Sequence, residues 1–306
     1  MRVLITGVTG QDGYYLAGQL IEAGHDVWGM VRWQSRARGF EYQPGLRIVD
    51  GDMLDQSSLA DALKSVRPDV VYNLAAITYV GMSWQQPTVM TEVTGLGVLR
   101  LLEAIRQVNP EIRLVQASSS EMFGESDYRV VLDEDAPMNP RSPYGVAKLF
   151  AHKTVINYRE SYGLHASTAI MFNHESPRRG PEFVTQKVCT AAARGEKVTL
   201  ARTDTARDWG WAPDYMRALP AMAAAQEPRD YVLATMRTWT VAKLCELAYQ
   251  NAGLDWREYV EVDAALRRPA DITSLCGTYG RAAAWLNWKP EVSFPEIVAA
   301  MVEAAR

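Results

Sequence analysis

Cysteine is scarce in this sequence. Its 306 residues include three, Cys189, Cys245 and Cys276, and no pair has CxxC spacing. An odd number of widely spaced cysteines argues against a disulfide framework and against a structural zinc site. The four histidines also lack metal-ligand spacing, so we expect no bound metal.

Long apolar runs and an excess of positive charge are missing as well. No run of about 18 apolar residues occurs, and the apolar stretch at 2–6 is too short for a secretion signal. The formal net charge of −4 provides no broad positive field for a nucleic-acid backbone. We therefore expect a cytoplasmic, soluble protein that binds neither membrane nor nucleic acid.

The sequence does contain a regular alternation of short β-branched runs and longer helical patterns up to about residue 176. Strand-like runs lie at 3–6, 26–31, 47–49, 70–74, 113–116 and 165–172. Helical spacing of apolar residues marks 14–23, 58–66 and 94–108. This alternation is typical of βαβ units and predicts an α/β fold with a Rossmann-type doubly wound parallel sheet.

Beyond about residue 177 the pattern is less regular. Helical patterns at 238–252 and 294–304 are mixed with an isolated strand at 231–234. We predict a main region at 1–176 and a smaller C-terminal α/β lobe at 177–306 that folds back on the sheet. No linker or charge block separates them, so we expect interleaved parts of one cooperative unit rather than independent domains.

The first predicted strand leads directly into a GxxGxxG loop at 7–13 and then into a helix. Glycines there let the backbone turn tightly and approach a pyrophosphate at the helix N-terminus. Tight turns also use glycine without a ligand, but this strand–loop–helix context favours dinucleotide binding. The candidate cofactor-binding residues are Gly7, Gly10, Gln11, Asp12 and Gly13.

The end of the second predicted strand carries no acid. NAD-binding versions of this fold usually place Asp or Glu there for the ribose hydroxyls. This chain has Arg32, Ser35 and Arg36 instead, which suit a 2′-phosphate. NADP is therefore the predicted cofactor, and the alternative is that both arginines are solvated surface residues.

Further cofactor candidates follow the third and fourth strands, at carboxyl ends where a doubly wound sheet binds ligands. Asp52 is a candidate acceptor for the adenine amino group, with Met53 beside it. Leu74, Ala75 and Ala76 follow the fourth strand. Helix capping by Asp52 and simple packing by the two alanines are the alternatives.

Tyr144 and Lys148 stand four residues apart, after a proline that can start a helix, so they share one helical face. An ammonium beside a phenol favours phenolate, and we expect it to lower the pKa of Tyr144 from about 10 towards neutrality. That change suits removal of a proton from a carbinol. A YxxxK pair occurs by chance in many helices, but together with an N-terminal glycine loop it predicts a hydride-transfer enzyme.

Two more polar side chains follow the fifth strand. A hydroxyl at Ser119 is a candidate to bond the same substrate oxygen as Tyr144. Glu121 adds a second acid–base group, although a capping or loop-surface carboxylate is its alternative role. The candidate catalytic set is Ser119, Glu121, Tyr144 and Lys148.

Together these residues resemble the extended short-chain dehydrogenase/reductase superfamily, also called the NAD-dependent epimerase/dehydratase family, and within it the GDP-mannose 4,6-dehydratases. The resemblance covers nearly the whole chain and includes TGQDGYYLA, YNLAA, QASSSEMFGE, RSPYGVAK, FNHESPRRG, RDWGWAPDY and NWKPEVSF. It implies a nucleotide-sugar substrate and a tightly bound NADP that is reduced and reoxidised in each turnover. It also implies a homodimer or homotetramer.

The resemblance further implies a role for each catalytic candidate. Tyr144 would deprotonate the C4 hydroxyl as hydride leaves C4 for the nicotinamide, supported by Lys148 and Ser119. Glu121 would then take the C5 proton and deliver one to the departing C6 hydroxyl. Return of hydride to C6 gives a 4-keto-6-deoxy sugar.

By the same resemblance, other positions look like ligand contacts. His174 and Arg179 look like cofactor contacts. The positions that look like contacts to the substrate or its diphosphate are Asn173, Lys187, Arg207 and Arg268.

The sequence departs from the family pattern where the nucleotide sugar is expected. Ser119 replaces a threonine, Trp33 replaces an arginine, and Gln186 replaces the arginine of a VTRK pattern. The segment at 200–204 is shorter and lacks the usual Gly-Asn pair. Losing an arginine removes a fork suited to phosphate or carbonyl recognition, so the sequence specifies the chemistry more closely than the substrate.

Other activities of the same fold stay open at this point: a 4-epimerase, a decarboxylase or a 4-keto reductase. A different class is a non-catalytic dinucleotide-binding sensor. A broken Tyr/Lys pair would indicate such a sensor, and here the pair is intact.

Overall fold

The computed structural model describes residues 1–36, 39–126 and 130–306, and of Arg36 it describes the backbone alone. The strands are β1 (Arg2–Thr6), β2 (Asp26–Val31), β3 (Arg47–Asp50), β4 (Val70–Asn73), β5 (Arg113–Ser119), β6 (Ala166–Met171), β7 (Asn173–Glu175), β8 (Val198–Leu200), β9 (Ala206–Trp211), β10 (Asp230–Leu233), β11 (Thr238–Thr240), β12 (Val260–Val262) and β13 (Ser274–Leu275). The helices are α1 (Gln11–Glu22), α2 (Trp33–Arg36), α3 (Gln56–Val66), α4 (Val80–Gln85), α5 (Pro87–Thr91), α6 (Gly97–Val108), α7 (Pro143–Tyr162), α8 (Val184–Arg194), α9 (Ala212–Ala224), α10 (Val241–Asn251), α11 (Gly280–Leu286) and α12 (Phe294–Ala304).

The main sheet is parallel throughout its described strands, in the order β10-β6-β5-β4-β1-β2-β3. The chain moves outward from β1 to β3 and then restarts on the other side of β1 at β4. This reversal creates a crevice at the carboxyl ends of β1 and β4, where doubly wound folds bind ligands. The predicted Rossmann-type sheet is confirmed.

Helices cover both faces of this sheet, as parallel strands buried on both sides require. On one face Leu16 of α1 and Leu219 of α9 pack against the sheet. On the other face Leu63 of α3, Leu102 of α6 and Val155 of α7 form a second apolar layer. The strands between these layers are therefore almost continuously apolar.

Local signals set the ends of the helix that matters most for the site. Ser142 accepts a hydrogen bond from the Gly145 N–H and Pro143 occupies the first turn, so α7 begins there. It ends at Gly163, whose φ of +68° lies in the left-handed region that glycine adopts without strain. The preceding strand, β5, ends at Ser119 and delivers its polar residues to the same edge of the sheet.

A smaller lobe is built from α8, α10 and α12 with short strands. Its core contains Val188, Leu244 and Ile297, one from each helix. Trp209 of β9 stacks on Phe294 with ring centroids 4.9 Å apart. The predicted C-terminal α/β lobe is thus present.

Two predictions for the C-terminal half are wrong. The strand predicted at 231–234 was assigned to the lobe, but β10 pairs in parallel with β6 and completes the main sheet. The helix predicted at 238–252 begins at Val241, because Thr238–Thr240 pair with β9 as β11. Helix α9 also packs on the main sheet. The boundary at residue 176 stays a prediction.

In the part of the chain that the structure describes, no helix is both long and apolar enough to cross a membrane.

Candidate active site

The carboxyl ends of β1, β4 and β5 border a cavity of about 770 Å³. The lining comprises the glycine loop, the segments that follow β2 to β5, residues of α7, and residues 171–174 and 178–183. A cavity of this volume is typical of small-molecule sites, and it lies where the strand order reverses.

The glycine loop forms one end of the cavity. Gly7 has a φ of +69°, and a Cβ there would lie 2.7 Å from the Ala75 nitrogen. A Cβ on Gly13 would lie 2.5 Å from the Gly7 carbonyl oxygen, so both positions require glycine. Gly10 precedes α1 without any side-chain cap, which leaves the first N–H groups of the helix for an anion.

The segments after β2 and β3 border the same cavity. Arg32 is exposed and Ser35 is buried, and both line the cavity with Asp52 and Met53. The Leu54 N–H donates to Asp52 Oδ1 at 3.0 Å, so this carboxylate also supports its own turn. The side chain of Arg36 lies outside the described residues.

Tyr144 and Lys148 project from α7 into the cavity and are buried, with 6% and 4% of their surfaces exposed. Lys148 Nζ donates to the Ala117 carbonyl at 2.7 Å and lies 5.9 Å from the centre of the Tyr144 ring. The predicted shared helical face is therefore observed.

The expected depression of the Tyr144 pKa is wrong. Burial raises the pKa of Tyr144, and a hydrogen bond with Ser119 lowers it only in part. Lys148 directs its ammonium to the Ala117 carbonyl rather than to the phenol. Burial also lowers the pKa of Lys148 to about 8, because the charged form loses water there.

Glu121 lies in a 3₁₀ turn, Ser120–Met122, at the end of β5. Ser119 Oγ accepts the Glu121 N–H at 3.2 Å, so the serine caps this turn and the glutamate side chain does not. Burial raises the pKa of Glu121, while the positive charges of Arg207 and Arg268 oppose the shift. A buried carboxyl with a raised pKa, within electrostatic range of Tyr144, suits an acid–base role.

His174 ties β7 to the glycine loop. Its Nδ1 lies 2.7 Å from the Phe172 carbonyl oxygen, and its Nε2 lies 3.0 Å from Asp12 Oδ2. Both neighbours are acceptors, so an imidazole protonated on both ring nitrogens satisfies both contacts. The paired charges raise the pKa of His174 and lower that of Asp12 to about 2, although burial opposes both shifts.

Gln11 reinforces this connection. Its Nε2 donates to the His174 carbonyl at 3.1 Å, and its Oε1 accepts from Ser176 Oγ at 2.7 Å. The start of α1 is therefore joined to the segment after β7 by side-chain hydrogen bonds.

Arg179 reaches the cavity from the segment after β7. Its Nε lies 3.1 Å from Glu175 Oε2, and its guanidinium lies 3.6 Å from the centre of the Phe183 ring. Glu175 is fully buried and also accepts from Thr185 Oγ1 at 2.5 Å. A buried carboxylate and an aromatic ring thus fix this arginine.

The predicted substrate contacts are not all in one place. Asn173 lines the cavity. Arg207 and Arg268 are also outside the cavity lining; they flank Asp271, at 3.4 and 3.9 Å, within electrostatic range of Glu121. Lys187 is exposed on α8 and lies outside the cavity lining.

Sequence reasoning missed the polar residues that support the site from below. Thr6 and Asn73 end β1 and β4, Gln116 lies within β5, and all three are completely buried or nearly so. The signal was a polar residue at or next to the end of three predicted strands, 3–6, 70–74 and 113–116, that are otherwise mostly apolar. Glu175 was missed too, although it lies beside a predicted contact.

Comparison with known proteins identifies the family. A family model described as GDP-mannose 4,6 dehydratase matches residues 4–301. The chain belongs to the GDP-mannose 4,6-dehydratase family. The resemblance inferred from the sequence is confirmed, and this is a family of dehydratases, which are lyases.

Members of the GDP-mannose 4,6-dehydratase family match along nearly the whole chain. GDP-mannose 4,6 dehydratase 1 of Arabidopsis thaliana is 40% identical over 320 residues, covering 98% of this chain and 88% of the relative. The enzyme of Homo sapiens is 37% identical over 336 residues, covering 98% and 90%.

Solved structures share the fold of this dehydratase family. A UDP-glucose 4-epimerase of Thermus thermophilus in complex with NAD has a TM-score of 0.90 at 27% identity, covering 100% of this chain and 99% of that one. MoeE5 in complex with UDP-glucose and NAD has a TM-score of 0.88 at 26% identity, covering 99% and 98%.

Proposed function

We propose that this chain is an NADP-dependent GDP-mannose 4,6-dehydratase that converts GDP-mannose to a GDP-4-keto-6-deoxymannose, as the names of its relatives suggest. The observation that carries the proposal is the convergence of Ser119, Glu121, Tyr144 and Lys148 on one cavity whose other end is a glycine loop.

The residues present fit a dinucleotide. The uncapped start of α1 and the close contact of Gly7 with Ala75 form a cradle that suits a pyrophosphate. Arg32 and Ser35 border the end of the cavity after β2, where a 2′-phosphate distinguishes NADP from NAD. When bound, NADP supplies the hydride acceptor and the positive charge of its oxidised ring.

The chain's own groups manage the protons. Tyr144 accepts the proton of the C4 hydroxyl, and Ser119 donates a hydrogen bond that favours the phenolate. Lys148 adds a nearby cation. Glu121 removes the C5 proton, which a 4-ketone makes acidic, and protonates the C6 hydroxyl as it leaves.

Arg207 and Arg268 are the proposed contacts for the diphosphate of the substrate. They lie within electrostatic range of Glu121 but outside the cavity lining, and the Asp271 carboxylate partly neutralises both charges. Asn173 contacts the sugar in this arrangement. Lys187 becomes a contact only if the substrate extends beyond the described cavity lining.

Incubation of the cofactor-loaded protein with GDP-mannose tests the proposal. We expect a 4-keto product whose mass is lower by one water, formed without net consumption of NADPH. Stoichiometric NADPH consumption would instead indicate a reductase, and an unchanged substrate mass with inverted C4 would indicate an epimerase. A Glu121→Gln variant should bind substrate yet release no water.

A homodimer or homotetramer also belongs to this proposal. Val89 of α5 and Val146 and Phe150 of α7 are large apolar side chains with 46%, 54% and 42% of their surfaces exposed. Val146 and Phe150 share one face of α7, opposite the buried Tyr144 and Lys148. An apolar face on two packed helices suits contact with a second copy.

A further inference from the structure

Three polar residues lie side by side across the central strands of the main sheet. Thr6 of β1 is in register with Asn73 of β4, and Asn73 is in register with Gln116 of β5. Their exposed surfaces are 0%, 0% and 1%. Thr6, Asn73 and Gln116 are called the polar ladder below.

Each residue of the polar ladder immediately precedes a segment that lines the cavity. Gly7 follows Thr6, Leu74 follows Asn73, and Ala117 follows Gln116. The polar ladder therefore lies directly beneath the site, at the reversal of strand order.

Short hydrogen bonds connect the polar ladder in one direction. Thr6 Oγ1 donates to Asn73 Oδ1 at 2.5 Å, and Asn73 Nδ2 donates to Gln116 Oε1 at 2.6 Å. Gln116 Nε2 donates to the Ala117 carbonyl at 2.8 Å. At the other end, the Ala75 N–H donates to Thr6 Oγ1 at 3.1 Å.

The two ends fix this direction. The Ala75 N–H can only donate, so the Thr6 hydroxyl must give its own proton to Asn73. The Ala117 carbonyl can only accept, so Gln116 must present its NH₂ group there. Neither amide can flip without leaving a buried donor facing another donor, which is unfavourable.

The polar ladder ends on the atom that holds the active-site lysine. Lys148 Nζ donates to the same Ala117 carbonyl at 2.7 Å, and Lys148 is buried. A lysine side chain has a flexible four-carbon stem, so a fixed acceptor decides where its ammonium rests. The second lone pair of that acceptor belongs to Gln116.

We propose that Thr6, Asn73 and Gln116 are positioning residues of the active site: they fix the Ala117 carbonyl, and this carbonyl sets the position of the Lys148 ammonium beside Tyr144. The expected effect on turnover, the kinetic consequence, rests on the proposed function. The expected position of the Lys148 ammonium, the structural consequence, does not.

Buried polar side chains stabilise a sheet less well than apolar side chains of the same volume. A parallel strand buried on both faces is normally filled with apolar side chains, and methionine would occupy the volume of Gln116 without requiring partners. Each amide and hydroxyl of the polar ladder has a partner, and the donation runs in a single direction that ends at the Ala117 carbonyl, to which Lys148 also donates. A positioning role accounts for that direction, and simple packing does not.

A Gln116→Met variant tests the structural consequence directly. In its crystal structure we expect Lys148 Nζ to lie outside hydrogen-bonding distance of the Ala117 oxygen, or to occupy several positions, whereas wild type keeps one. A Lys148 ammonium that stays on the Ala117 oxygen overturns the proposal, whatever reaction the protein catalyses.

The same variant tests the kinetic consequence. We expect kcat to fall about 10- to 100-fold with little change in KM, because the loss affects the reacting groups rather than substrate binding. In a Lys148→Met background the same substitution should cost less than about twofold, since its target is already gone. Equal losses in both backgrounds would identify a purely structural role.

Thr6 supplies a matched pair in case Gln116→Met lowers stability too far. Thr6→Ser keeps the hydroxyl donor and Thr6→Val removes it at nearly the same size. We expect Thr6→Ser to retain kcat and Thr6→Val to lose about threefold to tenfold, consistent with one hydrogen bond. Equal kcat in the two variants, at equal thermal midpoints, would contradict the proposal.

An inactive wild type would refute the proposed function. The crystallographic comparison of wild type with Gln116→Met would then decide whether the polar ladder positions Lys148.

Discussion

Single side chains determine the chemistry of this site, and Tyr144 is the first to test. Its phenol is buried in the cavity, and in the proposed reaction it accepts the proton of the C4 hydroxyl. Tyr144→Phe should lower kcat by about 10²–10⁴-fold, the usual contribution of a general base. Tyr72→Phe, at another buried tyrosine, is the control and should keep full turnover. Comparable losses in both would place the effect in packing instead.

The proposed preference for NADP rests on Arg32. Removing a guanidinium from a 2′-phosphate should weaken NADP binding about 10- to 100-fold and leave NAD binding nearly unchanged. Titration of Arg32→Ala with each dinucleotide measures this. Arg47→Ala is the matched control, because Arg47 is exposed and packs over Trp28 rather than lining the cavity. If Arg32→Ala weakens both dinucleotides equally, the preference for NADP has another source.

The pair of Asp12 and His174 makes stability depend on pH in both directions. The pKa of His174 is raised in the folded state, so its contribution is complete below about 6.5 and is lost as pH rises through the folded value. The pKa of Asp12 is lowered from 3.8 to about 2, so its contribution of about 2 kcal/mol is present above pH 4 and is lost on acidification.

Urea unfolding between pH 5 and pH 9 measures the histidine part of this dependence. The free energy of unfolding of wild type should fall as pH rises above the His174 pKa, and His174→Gln should remove that component. An identical pH slope in the two proteins would show that the imidazole is not the titrating group.

Among the elements, some were predictable and others were not. The first five strands were visible because a parallel strand covered on both faces is a continuous apolar run. The pairing of β10 with β6 was not visible, because side-chain periodicity does not specify a partner about sixty residues away. The sequence predicts helix at Thr238–Thr240 because their neighbours at 241–251 carry the helical period, although these three residues form a strand.

Some features of the site could likewise be predicted from the sequence, and others could not. Loop glycines and the Tyr144–Lys148 spacing are local features, so the sequence displays them. The Tyr144 pKa depends on burial, and the polar ladder depends on strand register, so both needed the folded chain.

The interleaving of elements predicts that residues 1–176 will not fold alone. Such a fragment lacks α9 and β10, whose Leu219, Met222 and Tyr231 complete one apolar face of the sheet. We expect no cooperative urea transition in the fragment, and recovery of one when 177–306 is added. A cooperative transition in the fragment alone would establish an independent domain instead.

At the scale of the whole molecule, the exposed apolar face of α5 and α7 predicts self-association. Val146→Arg with Phe150→Arg should convert an oligomer into monomers in sedimentation velocity, because two buried guanidinium groups would lack partners. Trp285→Arg is the control, since Trp285 is 62% exposed on the distant α11. Unchanged sedimentation of the double variant would place the interface elsewhere.

Strand β10 is synthesised well after β6, and this order has a consequence for folding on the ribosome. Strand β6 is complete at Met171, but β10, which pairs with its outer edge, ends only at Leu233. Throughout that interval the nascent chain presents an open strand edge and an uncovered apolar surface, the features that chaperones and other nascent chains recognise. Slow translation between these two strands should therefore increase the loss of new chains to aggregation, even with the mature protein unchanged.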